Sequence, residues 1–136
     1  MNEVTESTEQ PRGFDISEEF KVTDLMEEGK NFPLSEDAWI KVRSTQSAIW
    51  RKNFRKALRE IPDVQANNMK LREKVVIQAM ATHMLLEWEN IRIGKGPFLE
   101  NTVENRIKAL KNEGFRETVW KLADEKSNFQ DDDDPN

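Results

Sequence analysis

The stretch VVIQAMATHMLLEW, residues 75–88, decides the fold that this sequence predicts. Ten of its 14 residues are apolar, so a helix built from it would be apolar on nearly all sides. Such a helix is usually the central one of a domain, covered by its neighbours. A membrane-spanning helix needs about 20 largely apolar residues, and this run is shorter. We therefore predict a central buried helix over about residues 65–89 and no membrane partner.

Amphipathic segments on both sides supply the neighbours that a central helix needs. Before it, Ser44 or Thr45 is placed to cap a helix that Pro62 ends. The apolar residues of this helix share one face and are Trp50, Phe54, Ala57, Leu58 and Ile61.

Two more helices are predicted after the glycine-rich loop at residues 94–97. Asn101 and Glu104 have the spacing of a capping box, which marks a helix start. Gly114 is placed to end that helix in a left-handed conformation. The last helix carries an apolar stripe made of Phe115, Val119, Leu122 and Ala123.

Two short segments near the N-terminus alternate apolar and polar residues, which is the period of a β-strand. They are residues 20–22 (FKV) and residues 39–42 (WIKV), and we expect them to pair. The predicted fold class is mainly α: a compact bundle of about four helices with a small N-terminal two-stranded β ribbon and disordered termini. The predicted boundaries are a disordered tail at 1–13, a single helical domain at 14–129 and an acidic disordered tail at 130–136.

The charge of the chain is unevenly distributed. The net charge is −5 over 136 residues, but residues 1–37 carry −8, residues 38–74 carry +7 and residues 75–136 carry −4. A basic middle between acidic flanks indicates either complementarity within the chain or a binding face.

The sequence contains no recognisable catalytic or metal-binding constellation. His83 is the only histidine and lies in the apolar run, where a lone imidazole is more often a packed residue than a base or ligand. No serine lies in a nucleophile motif, and there is no cysteine. Gly94 and Gly96 are followed by proline, after a predicted helix, so they do not form a phosphate loop. We therefore expect no catalytic, cofactor-binding or metal-binding residues, no cofactor and no enzymatic activity.

The basic side of the 46–60 helix is the strongest binding signal. It consists of Arg51, Lys52, Arg55, Lys56 and Arg59. The pattern favours a solvated or internally paired face, then an acidic protein partner. It fits nucleic acid least well, because the whole chain is negative.

Residues spread over most of the chain resemble the tail assembly chaperones of long-tailed, lambda-like bacteriophages. The C-terminal matches are Leu86-Glu87-Trp88-x-x-Ile91, Gly96-Pro97-Phe98, Thr102, Glu104-Asn105, Leu110, Phe115, Val119, Ala123 and Asn128-Phe129. The N-terminal match is Ile40-x-Val42-Arg43-Ser44, followed by the basic helix.

This resemblance implies a non-enzymatic protein of the host cytoplasm that is absent from the mature virion. Such chaperones bind the tape-measure protein, keep it soluble and help to recruit tail-tube protein, in many relatives through a longer frameshifted form. We expect partner contacts on the basic helix and the last two helices, at Arg51, Arg55, Arg59, Phe115 and Trp120. The alternatives are a small nucleic-acid-binding regulator that uses helix 46–60, and a tail-completion protein of the virion.

Overall fold

The computed structural model describes residues 11–130, and its central element is a three-stranded antiparallel sheet in the order β1-β2-β3. The strands are β1 (Lys30–Pro33), β2 (Trp39–Val42) and β3 (Leu85–Glu89). The helices are α1 (Ile16–Glu19), α2 (Asp24–Glu28), α3 (Ala48–Arg59), α4 (Met69–His83), α5 (Val103–Leu110) and α6 (Glu113–Asp124). Short 3-10 helices occur at Asp63–Gln65 and Lys126–Phe129.

The predicted four-helix bundle with a two-stranded ribbon is wrong, because the chain leaves the helical conformation after His83 and continues as β3. In the register of β2 with β3, Val42 is opposite Leu85 and Lys41 is opposite Glu87, so Leu86 is the extra residue of a β-bulge. The bulge lets Leu85 and Trp88 both be buried although they lie three residues apart. The same spacing fits one face of a helix, and so the sequence pattern was ambiguous.

The first strand also differs from the prediction. Residues 39–42 form a strand as expected, but its partner is β1, with Phe32 opposite Ile40. Phe20 and Val22 are exposed instead of paired in a strand. Gly29 leads into β1 with a φ of +94°, and a Cβ there would lie 3.0 Å from Leu86 Cδ1. Glycine is therefore the residue that both this backbone conformation and this close approach require.

The core lies between one face of the sheet and the long helices. Helix α4 packs against α3 on one side and α5 on the other, while α6 packs on β2 and α5. The sheet residues in this core are Phe32, Ile40, Val42, Leu85 and Trp88. The 3-10 helix at the C-terminal end closes it, because the Phe129 ring meets the Phe32 ring edge-on at 5.8 Å.

The helices begin at caps other than those predicted. Ser47, not Ser44 or Thr45, caps α3 by accepting a hydrogen bond from Trp50 N–H at 3.1 Å. Thr102, not Asn101, caps α5.

The predicted helix end at Gly114 is wrong. The Asn112 side chain accepts from Phe115 N–H and starts α6 at Glu113, which places Gly114 inside that helix.

The predicted tails lie largely outside the described residues, which leave out 1–10 and 131–136. Between residues 11 and 130, no helix is long and apolar enough to cross a membrane.

Candidate partner-binding surface

Three arginine side chains connect the helices and the sheet by donating hydrogen bonds to carbonyl groups at helix ends. Arg43 Nη1 donates to the His83 carbonyl and Arg106 Nε to the Ala81 carbonyl, both at 2.9 Å, at the end of α4. Arg116 Nη1 donates to the Leu110 carbonyl at 2.9 Å, at the end of α5. The last carbonyls of a helix lack partners within it and carry partial negative charge. These arginines therefore have structural partners, and sequence reasoning missed all three.

Arg106 is the most buried of these cations and also donates to the Asn101 side chain. Burial lowers its pKa, while the charge of Glu87 acts in the opposite direction.

Glu27 fixes the start of the basic helix. Its carboxylate accepts hydrogen bonds from Ser47 Oγ at 2.9 Å and from Ala48 N–H at 2.6 Å. Partial burial acts to raise the pKa of Glu27, but these hydrogen bonds, a weaker one from Ile49 N–H and the charge of Arg43 outweigh burial and lower it. A carboxylate at a helix N-terminus stabilises both the free N–H groups and the helix dipole.

The basic face of α3 is exposed to solvent. All five of its bases are exposed: Arg51, Lys52, Arg55, Lys56 and Arg59. None of them forms an ion pair within 4 Å with another residue of the described chain. The ion pair found among the described residues joins Arg116 to Glu73. Within residues 11–130 this face is therefore solvated and not internally paired.

The five residues predicted to bind a partner fall into two groups. Arg51, Arg55 and Arg59 lie on the solvated face of α3. Phe115 and Trp120 are only partly exposed and pack against the core. The Trp120 ring lies 5.8 Å from Trp50 and 6.1 Å from Phe54 by ring centroids, in edge-on contacts.

Trp120 also lines a small opening of about 270 Å³ between α4 and α6, with Val76 and Met80. Both Phe115 and Trp120 therefore contribute to core packing, and each leaves only part of its ring exposed.

A larger cleft runs between α3 and α4, and we call it the α3–α4 groove. Its volume is about 490 Å³. The apolar part of its lining consists of Ala57, Ile61, Pro62, Leu71, Val75 and Ala79, and the polar part of Asn53, Lys56, Glu60, Gln78, Thr82 and His83. Lys52 lies one helical turn before Lys56 on the same edge of α3. Glu60 lies one turn after Lys56 on this edge and also lines the groove. The groove therefore combines an apolar floor with a charged border that is basic at Lys52 and Lys56 and acidic at Glu60.

The sequence alone could not place this groove, because it depends on how α3 crosses α4. The one available signal was apolar residues at the margin of each helical stripe, such as Ile61 and Val75.

The beginning of the groove is bordered by an exposed apolar corner. Val64 is 91% exposed and Met69 75% exposed, and they lie in sequence between the groove residues Ile61 and Leu71. At the other end His83 is partly buried, and its pKa is lowered by burial first and by the charge of Arg43 second. Over residues 11–130, no group of three or more histidine, aspartate or glutamate side chains could hold a metal ion.

The chain matches the model of a family described as YdaY prophage protein. No curated protein and no solved structure matches the chain. The family match spans residues 27–135, which takes in the sheet, α3 to α6 and every residue that lines the α3–α4 groove. It confirms the phage origin that the sequence resemblance implies, without reaching a role in tail assembly. The chain therefore belongs to the YdaY prophage protein family.

Proposed function

We propose that this phage protein is a tail assembly chaperone that binds the tape-measure protein through the α3–α4 groove. In this role it acts without catalysis in the host cytoplasm, keeps the tape-measure protein soluble, helps to recruit tail-tube protein and leaves before the virion is complete. The observation that carries the proposal is the open groove itself, with its apolar floor beside the solvated basic face of α3. The resemblance to tail assembly chaperones and the prophage family support it.

The groove suits an amphipathic helix as its ligand. A helix laid between two others presents apolar side chains at spacings of three and four residues to the groove floor. Leu71 and Val75 are four residues apart on α4 and both partly exposed, so they offer a matching line of contacts. Lys52 and Lys56 favour acidic residues on the part of a ligand helix that lies beside them, and Glu60 on the same edge favours a basic residue one turn further on.

Weak contacts are sufficient for this function. A long client with repeated apolar stripes would aggregate if those stripes stayed exposed. Many chaperone copies on one client would cover the stripes in sequence, and tube subunits that compete for the client would release the chaperone by mass action. A single groove therefore needs only modest affinity.

The test is co-expression with the tape-measure protein of the same phage. We expect the client to stay in the soluble fraction and to co-purify with the wild-type protein. The double variant L71S/V75S should lose the complex, because it makes the exposed part of the groove floor polar. The matched control K74S alters an exposed residue of the same helix outside the groove lining and should keep it. An insoluble client that never co-purifies with the wild-type protein would sink the proposal.

One observation favours a second candidate, a small nucleic-acid-binding regulator. The five exposed bases of α3 could contact phosphates, and such binding falls steeply with salt. A mobility shift near 50 mM salt that R51E/R55E removes would support this candidate, and no shift at all would dispose of it. Mass spectrometry of purified particles separates both from a tail-completion protein, which would remain in the virion.

A further inference from the structure

The segment at residues 14–22, which we call the arm, keeps large apolar side chains in solvent. Phe14 is 66% exposed, Ile16 69% and Phe20 65%, and none of them joins the core cluster. Val22 is also exposed. Single exposed apolar residues are ordinary, but four within nine residues form a patch of the kind that marks an interaction site.

Part of the arm is held by contacts within its own chain, although its apolar side chains are mostly exposed. Asp15 caps the short helix α1 by accepting from Ser17 N–H at 3.1 Å. Lys126 donates to the Glu19 carbonyl, and its ammonium lies 5.7 Å from the centre of the Phe20 ring. An arm that is already fixed loses less conformational entropy when it binds.

The residue after the arm, Thr23, connects it to the C-terminal 3-10 helix, because Thr23 Oγ1 donates to the Phe129 carbonyl at 2.7 Å. Its exposed side chains show that it does not fill the groove of its own chain. A second copy can therefore supply the arm that reaches the groove.

The arm and the α3–α4 groove complement each other in both charge and polarity. The arm carries Asp15, Glu18 and Glu19 beside its apolar residues, with Lys21 as the opposing charge. The groove has an apolar floor bordered by Lys56 and, one turn earlier, Lys52, while Glu60 lies one turn later on the same edge. The two lysines give this border a net positive charge, opposite to that of the arm. We propose that the arm of one copy docks in the α3–α4 groove of a second copy, with its apolar side chains on the floor and its acids against these lysines.

This docking covers two apolar surfaces of the chain when no client is present. It depends on the groove but not on the identity of any client, so it stands or fails separately from the proposed function. A client that takes the groove would displace the arm and separate the copies.

A charge exchange on the full-length protein tests the proposal, with sedimentation velocity over a concentration series at low salt. We expect the wild-type protein to self-associate. K52E/K56E and E18K/E19K should each weaken association by about tenfold, because each replaces attraction by repulsion at two surface pairs. The four-fold variant, in which both sides are reversed, should restore it. The matched control K95E/K108E makes the same change in net charge as K52E/K56E at exposed sites outside the groove lining and should leave association unchanged.

A second variant tests the apolar half of the contact. F14S/I16S changes two exposed side chains, so the fold should remain intact, and association should weaken at least as much as in the charge variants. A protein that stays monomeric throughout the series would overturn the proposal. So would association that none of these variants alters, since the copies would then meet through another surface.

Discussion

The substitution Arg106→Met tests whether arginine capping holds the end of the central helix. Arg106 is 8% exposed, and its Nε donates to the Ala81 carbonyl at 2.9 Å. Methionine keeps much of the apolar stem but donates no hydrogen bond. The Ala81 carbonyl then loses its side-chain partner just before α4 ends at His83 and the chain enters β3.

Two opposing effects decide the size of the change. The variant loses two hydrogen bonds from a charged group, at about 1.5–3 kcal/mol each, and a favourable charge at a helix C-terminus, at about 0.3–1 kcal/mol. Against this, it removes a buried cation whose desolvation costs several kcal/mol. Burial lowers the pKa of Arg106, which is the direction expected for a desolvated cation. Because the guanidinium has partners and the carbonyl in the variant does not, we expect a net loss of about 3 kcal/mol in the free energy of unfolding.

Urea unfolding followed by tryptophan fluorescence measures this loss, since the chain has four tryptophans. With a slope of about 1–3 kcal/mol per M, the midpoint should fall by about 1–3 M. Arg106→Lys keeps the charge but not the planar fork, so it should fall by less. Lys108→Met alters an exposed residue of the same helix and should stay within about 0.5 kcal/mol of the wild type. An Arg106→Met midpoint equal to that of Lys108→Met would refute the capping argument.

Three further results are expected. Trp120→Ala should destabilise the protein by about 2–3 kcal/mol, below the range for a fully buried tryptophan because the ring is partly exposed. If the ring serves packing alone, client binding should fall only as far as the folded fraction falls; a larger fall in urea-calibrated pull-downs would show that Trp120 also contacts the client, as the sequence predicts. Glu27→Gln should lower stability by about 1–2 kcal/mol at pH 7. Since the pKa of Glu27 is lowered from 4.5 in the folded state, its contribution is present above pH 4.5 and lost as the pH falls through the folded pKa; urea midpoints of variant and wild type should therefore converge in acid, and a constant gap would contradict this. His83 should titrate below pH 6.5 by NMR, because burial lowers its pKa. The free energy of unfolding should fall as the pH drops from 6.5 to that midpoint, because the unfolded chain takes up the proton first. A midpoint at or above 6.5 would show that burial does not set the pKa of this imidazole.

The sequence located most helices but not the third strand, for a definite physical reason. Residues 48–59 and 113–124 are amphipathic at the helical period and form α3 and α6. The sequence predicts a helix over residues 85–89 because a β-bulge gives Leu85 and Trp88 the spacing of one helical face. Pairing with β2, which lies more than 40 residues earlier in the chain, decides that conformation. The local spacing of apolar residues carries no information about such a distant pairing. The error at residues 20–22 has the same origin.

The candidate binding surface follows from the sequence only in part. The basic face of α3 follows from local spacing, so Arg51, Arg55 and Arg59 were correctly expected at the surface of one helix. The α3–α4 groove is a product of helix crossing, and its floor includes residues such as Val75 that read as core in a helix apolar on all sides. Residues at the edge of a core stripe and residues in a groove have the same chemistry and differ only in what covers them.

Basic residues occur in two physically distinct environments in this chain, and the salt concentration should affect their interactions differently. Arg43 and Arg106 donate to helix-end carbonyls. Arg43 is partly buried and Arg106 is buried, so salt screens their interactions only weakly. The bases of α3 are exposed, and charges in water are largely screened beyond about 8 Å at physiological ionic strength. Raising the salt concentration should therefore weaken contacts made by the α3 face while the urea midpoint hardly changes. If unfolding and partner release shifted together with salt, the two groups of bases would not be separate, and the division of the surface argued above would be wrong.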